Sequence, residues 1–157
     1  MVEDADFGVV VSVLAGASAT TASVDFIRIT IYYTSISAPT ITISAASLIT
    51  ANTARLNGNV TVTGGENPSV LVFWGDNDGV QTPANWDNNP GTAPTSPGQP
   101  QGVAAFYLDI TGLNPGTKYY FSADATNSGG TSWPAASLNF TTTPAPFKSY
   151  YPHILAH

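Results

Sequence analysis

The sequence predicts an all-β protein: an antiparallel β-sandwich with an extra hairpin before it and an extended tail after it. Charged residues make up only 9% of the 157 positions, against about a quarter in ordinary soluble domains. Thr, Ser and Asn take their place, together with 14 Gly and 12 Pro. No window has an apolar repeat of helical period and length, whereas short alternating segments recur between turn residues. Composition and periodicity both favour short strands over helices.

The N-terminal part predicts a β-hairpin. Residues 7–14 and 24–33 are apolar or alternating runs joined by a loop of small residues. The second run, VDFIRITIYYT, resembles the closing strand of jelly-roll-type domains of microbial surface proteins. Because an isolated hairpin is marginally stable in water, this pair is expected to pack on something else. We therefore predict a separate unit over residues 1–37, either a remnant of such a domain or an assembly element.

Regular turn spacing predicts a sandwich over residues 38–143. The candidate strands are 40–46, 53–62, 69–75, 103–110, 118–126 and 135–142. Alternation directs Leu56 and Val60 of the second strand into the core, and likewise Phe106 and Leu108 of the fourth. Six or seven short strands with this patterning are typical of a β-sandwich.

The tail, residues 144–157, is too rich in aromatic and aliphatic side chains for a typical disordered end. It is either a linker into a further domain or an extension that docks on a neighbouring copy. The sequence leaves both interpretations open.

The segment LNPGTKYYFSADA carries the most specific motif. The residues that define it are Leu113, Pro115, Gly116 and Tyr119. It resembles the corner before the penultimate strand of fibronectin type III domains, and SVLVFWG and SLNFTT resemble two further strands of that family. The resemblance implies a fibronectin type III-like sandwich in which Tyr119 is buried and hydrogen-bonds backbone across the corner, a structural role. A long excursion at 76–102 departs from the family pattern, and which sheet it joins stays open.

Two groups of residues are candidate binding sites. Asp76 and Asp78 in GDNDG, with Asp87 downstream, are weak candidates for a calcium site, since calcium takes several oxygen ligands. The EF-hand pattern is incomplete, so we favour a tight turn that closes the third strand. Trp86 and Trp133 are candidates for a sugar-stacking platform, although aromatic residues in such loops more often cap the core.

Several function classes are excluded. The two histidines, His153 and His157, lie in the tail, and neither a cysteine nucleophile nor a phosphate-binding loop is present. The sequence therefore predicts no enzyme and no cofactor. The net charge of −6 includes only four Lys and Arg residues, too few for a basic surface that binds nucleic acid or anionic membranes. The longest apolar run is too short to span a bilayer.

Two functional hypotheses remain. The first is a non-catalytic structural module of an extracellular surface protein or filament, whose partners are other copies of the chain joined through the terminal β segments. The second is a carbohydrate- or protein-binding adhesion module that uses the 76–102 excursion, and a virion fibre component is a further alternative. All of these place the chain outside the cell or on its surface.

Overall fold

The computed structural model describes residue 30 and residues 32–147. Nearly all of the hairpin predicted over 7–33 lies outside the described residues, as do residues 148–157 of the tail, so both stay predictions. The chain divides between Tyr33 and Thr34, and the fold described below is that of the second unit.

The described residues form seven strands in two antiparallel sheets, and the predicted all-β sandwich is confirmed. The strands are β1 (Thr40–Ser47), β2 (Thr53–Val62), β3 (Ser69–Gly75), β4 (Ala104–Thr111), β5 (Lys118–Asn127), β6 (Gly130–Ser132) and β7 (Leu138–Thr141). The first sheet has the order β1-β2-β4. In the second sheet β5 is central and pairs with β3 on one edge and with both β6 and β7 on the other.

The last predicted strand, 135–142, is shorter in the structure, where it corresponds to β7, and a further short strand that was not predicted, β6, precedes it. β6 pairs with the end of β5 and β7 with its beginning. Pro134 lies between them, and because proline has no N–H to donate, it interrupts the ladder. The alternating pattern therefore located only the second of the two strands.

The core fills the space between the two sheets. Its fully buried members include Leu56, Val60, Val70, Val72, Phe121 and Ala123. Gly58 lies directly opposite Phe106 in the β2–β4 pair, and a methyl group at this glycine would overlap the phenyl ring. The glycine thus provides the space in which the Phe106 side chain lies, which explains its presence inside a strand.

The 76–102 excursion joins both sheets, which answers the question that the sequence left open. Thr92 exchanges backbone hydrogen bonds with Val72 of β3, at 2.8 and 2.9 Å. A few residues later Ser96 exchanges backbone bonds with Tyr107 of β4, at 2.9 and 3.3 Å. The excursion therefore covers the free edges of β3 and β4 and closes that side of the sandwich.

The only helix among the described residues is a 3-10 turn at Pro83–Asn85. No helix within residues 32–147 has the length and apolar character needed to cross a membrane.

Candidate functional site

The outer face of the three-stranded sheet carries an ordered polar cluster, the Arg55 cluster (Arg55, Tyr107 and Asp109). Arg55 and Asp109 are opposite each other on β2 and β4. The guanidinium donates from Nε and Nη2 to the two carboxylate oxygens, at 2.6 and 2.7 Å. Its Cζ atom lies 3.8 Å from the centroid of the Tyr107 ring. The bidentate pair and the stacked ring together hold the guanidinium in one orientation.

A depression of about 240 Å³ lies beside this cluster. Its walls combine polar and apolar side chains: Leu48, Thr53, Arg55, Asp109, Ile110 and Thr111. Leu48 is 66% exposed and has a left-handed backbone, with φ of 50°. A large apolar side chain held in an uncommon backbone conformation at the edge of a depression is a feature of a recognition surface.

The cluster is electrically neutral as a whole. The hydrogen bond from Arg55 holds the pKa of the Asp109 carboxyl below its usual range, and the same bond raises the pKa of the guanidinium. Both groups stay charged at physiological pH and neutralise each other. The surface is therefore suited to an uncharged ligand that has hydrogen-bonding groups.

The alternating pattern directs Arg55, Tyr107 and Asp109 outward, but it gives no reason to group them. Their proximity depends on the register between β2 and β4, strands that are separated by more than forty residues in the chain. One signal in the sequence could have indicated the cluster. Arg55 and Asp109 are opposite charges at outward positions of two predicted strands, in a chain that has few charged residues.

The corner before β5 places Tyr119 in the core. The side chain is 6% exposed, and its hydroxyl oxygen accepts a hydrogen bond from the backbone N–H of Asn114 at 3.0 Å. Leu113 is buried, and its backbone exchanges bonds with Asn52, which ties the corner to the β1–β2 turn. Gly116 has a φ of +63°, a left-handed conformation that favours glycine. The geometry gives these residues a structural role.

The carboxylates of Asp78 and Asp87 accept hydrogen bonds from neighbouring groups, and Asp76 donates one through its backbone N–H. One carboxylate oxygen of Asp78 accepts from the N–H of Val80 at 2.9 Å, and the other accepts from the Ser137 hydroxyl at 2.7 Å. An oxygen of Asp87 accepts from the N–H of Asp76 at 2.8 Å. Among residues 32–147 no group of three acidic or histidine side chains is arranged to hold a metal ion. These contacts support the turn interpretation.

The sugar-platform hypothesis for the tryptophans does not agree with their positions. Trp86 is 3% exposed, and its ring packs against the backbone of Gly79, where a Cβ atom would lie 2.6 Å from it. The ring of Trp133 is half-buried, with its centroid 5.0 Å from that of Phe73. The Trp86 ring is thus enclosed within the excursion, and the Trp133 ring packs the β6–β7 connection onto Phe73 of the four-stranded sheet.

A buried carboxyl lies on the outer face of the four-stranded sheet. Asp124 is opposite Leu71 in the β3–β5 pair and is only 9% exposed. Removal from water raises the pKa of Asp124 to about 6, although a hydrogen bond from the Leu71 backbone opposes this. Sequence patterns do not indicate that Asp124 is buried, because its burial depends on how this sheet is covered.

The chain segment before β1 is held by a clasp, formed by Ser37, Gly64, Asn127 and Gly129. The Ser37 carbonyl accepts from the Asn127 side-chain amide at 2.8 Å, and the Ser37 N–H donates to the Gly64 carbonyl at 2.9 Å. A Cβ atom at either glycine would collide with the Ser37 backbone. The chain is thus fixed to the sandwich from Ser37 onward.

Comparison with known proteins gives a limited result. No family model matches the chain, and no curated protein is similar to it. The chain is similar to solved structures of the sensor domain of the anti-sigma factor RsgI4 from Pseudobacteroides cellulosolvens. The structure of a short form of this sensor domain is 24% identical in sequence, with a TM-score of 0.48, and the match covers 71% of this chain and 100% of that domain. A long version is 22% identical with a TM-score of 0.47, covering 73% and 98%. A solution structure is 20% identical with a TM-score of 0.47, covering 75% and 94%.

This comparison contradicts the predicted function. The sequence led to a structural module of a surface protein or filament, or else to an adhesion module or virion fibre. The structures found are instead sensor domains of an anti-sigma factor. The 76–102 excursion, which the adhesion hypothesis took as the binding loop, also forms backbone hydrogen bonds with both sheets.

Proposed function

We propose that this chain is a non-catalytic sensing module of an extracellular protein, which binds a small uncharged ligand on the outer face of its three-stranded sheet. The observation that supports this is the Arg55 cluster. Its guanidinium is oriented by two hydrogen bonds to Asp109 and by the Tyr107 ring, and it adjoins a depression large enough for a small molecule. A site whose polar groups are already oriented loses little entropy when it binds.

The other sheet is less suitable. The excursion lies over its outer face, where Gly91 packs against the Phe73 ring and the Leu71 side chain. Phe73 is consequently 1% exposed even though it points away from the central core. Of the two outer sheet faces, the one with the Arg55 cluster is the more accessible.

The sandwich itself we assign to the fibronectin type III-like type. This assignment is supported by the buried Tyr119 hydroxyl, which accepts a bond from the corner backbone, and by the low charge content and the absence of cysteine. Sandwiches of this kind have many functions, so the sensing role is supported by the sheet face and not by the fold.

The ligand hypothesis is tested by titrating the isotopically labelled protein with a library of small neutral sugars, nucleosides and amides. A true ligand is expected to shift the Nε–H resonance of Arg55 and the side-chain amide of Asn57, which lies opposite Tyr107. Arg55→Lys keeps the charge but loses the planar fork, and it is expected to weaken binding at least tenfold. Lys118→Arg, on the other sheet, is the control.

Two outcomes would contradict the proposal. In the first, no compound of the library shifts these resonances. In the second, a compound binds elsewhere with an affinity that Arg55→Lys leaves unchanged.

A further inference from the structure

One side of the sandwich is closed by the protein itself, whereas no strand within residues 32–147 covers the opposite side. The edges of β3 and β4 are covered by backbone bonds from Thr92 and Ser96. On the opposite side, β1 and the β6–β7 connection lie next to each other at the edges of the two sheets. Within residues 32–147, β1 has β2 as its one strand partner.

A groove of about 230 Å³, the β1 groove, runs along this open side. Its walls are mostly apolar, with Thr42 as the one polar lining residue beside Ile41, Ile43, Pro134, Ala135, Ala136 and Leu138. Ile41 is buried, whereas Ile43 and Leu138 are half-buried against the core. The groove exists because Pro134 interrupts the pairing along β5, so that the connection between β6 and β7 leaves the β5 ladder.

The two walls of the groove are also free of charge. No Asp, Glu, Lys or Arg occurs from Thr34 to Ala54 or from Ala125 to Phe147. Natural edge strands are usually protected from pairing by charged side chains, by proline or by a bulge. The pairing of β1 with β2 is irregular between Thr40 and Ile41 and again between Ser44 and Ser47, so the regular part of the β1 edge is Ile41–Ser44.

We infer that the regular part of β1, Ile41–Ser44, accepts an extended, uncharged peptide segment of a partner protein as an additional strand. The backbone of the segment pairs with the free edge of β1, and alternate apolar side chains enter the β1 groove. A neutral segment is required because a charged side chain would lose its hydration in an apolar groove that offers no counter-charge. This surface is separate from the Arg55 cluster, and the inference does not depend on the sensing role.

The experiment measures hydrogen exchange of the full chain with and without a soluble ten-residue peptide of alternating Val and Thr. The peptide is expected to slow exchange of the amides in 41–44 and to raise the melting temperature, since it binds the folded state. Two variant peptides test the mechanism. One carries a central proline and the other replaces each Val, the residue whose side chain enters the groove, with Glu, and both are expected to bind at least tenfold more weakly.

A matched pair of protein variants locates the site. Ala136→Lys introduces a charge at the exposed rim of the β1 groove and is expected to weaken binding of the Val/Thr peptide at least tenfold. Ala105→Lys, at an exposed alanine on β4, makes the same change on the other side of the first sheet and is expected to leave binding unchanged. Both alanines are exposed, so the fold should tolerate both substitutions, and a melting curve of each variant verifies this.

Three results would overturn the inference. The Val/Thr peptide produces no protection in 41–44, or both lysine variants bind it equally well. Alternatively, the same amides become protected with rising protein concentration and no peptide, which would identify a second copy of the chain as the occupant.

Discussion

Removal of one hydroxyl group at the corner tests how the sandwich is stabilised. In Tyr119→Phe the ring keeps its place, stacked on Phe140 with centroids 5.7 Å apart, so no cavity forms. What is lost is the acceptor for the Asn114 N–H, which lies in a partly buried position. An unsatisfied buried donor costs about 1–3 kcal/mol. At roughly 4 °C per kcal/mol for a domain of this size, the melting temperature is expected to fall by about 4–12 °C.

The assay is urea unfolding followed by tryptophan fluorescence, with the melting temperature as a second measurement. The midpoint should fall while the slope m stays constant, because the surface exposed on unfolding is unchanged. The matched control is Tyr120→Phe, the same chemical change at the neighbouring residue, whose ring faces the opposite side and lies under the Lys118 ammonium group. Equal effects of the two substitutions, or no effect of the first, would refute the structural role of the Tyr119 hydroxyl.

Three further predictions concern stability. Gly58→Ala should destabilise the protein by about 1–3 kcal/mol in urea unfolding, because its methyl group overlaps a core ring; Gly98→Ala, where a Cβ atom has open space, should have little effect. Asp124→Asn should remove a pH dependence of stability. The folded pKa of about 6 lies above the ordinary value of 3.8, so this carboxyl favours folding below pH 4 and loses that contribution as the pH rises through 6. The substitution should stabilise the protein at pH 8 by about 1–2 kcal/mol. Asn127→Ala should speed hydrogen exchange of the Ser37 amide at least tenfold, since the clasp loses its bond to the Ser37 carbonyl.

Each of these predictions has an outcome that would contradict it. Equal stabilities of the two alanine variants would mean that the Phe106 ring has room to move. An unchanged difference in stability between pH 4 and pH 8 in the asparagine variant would mean that another group is responsible. Unchanged exchange at Ser37 would show that the two glycine contacts alone hold the segment.

The strands and the core followed from the sequence because they depend on local patterns. The period-2 alternation in 53–62 assigned Leu56 and Val60 to the buried face, and both are fully buried. The structure also has strands within a residue or two of five predicted segments. The physical reason is that one face of each strand must leave water.

Only the tertiary structure decided the features that depend on pairing between distant segments of the chain. The register of β2 against β4 brings Arg55 to Asp109, and no local pattern encodes that alignment. The burial of Trp86 and Asp124 depends on how loops and strands far apart in the chain pack together. Composition could favour a β-sandwich, but many functions share that fold, so the filament hypothesis went beyond what the sequence determined. The neutral cluster on one sheet face and the open groove beside β1 exist only once both sheets have formed.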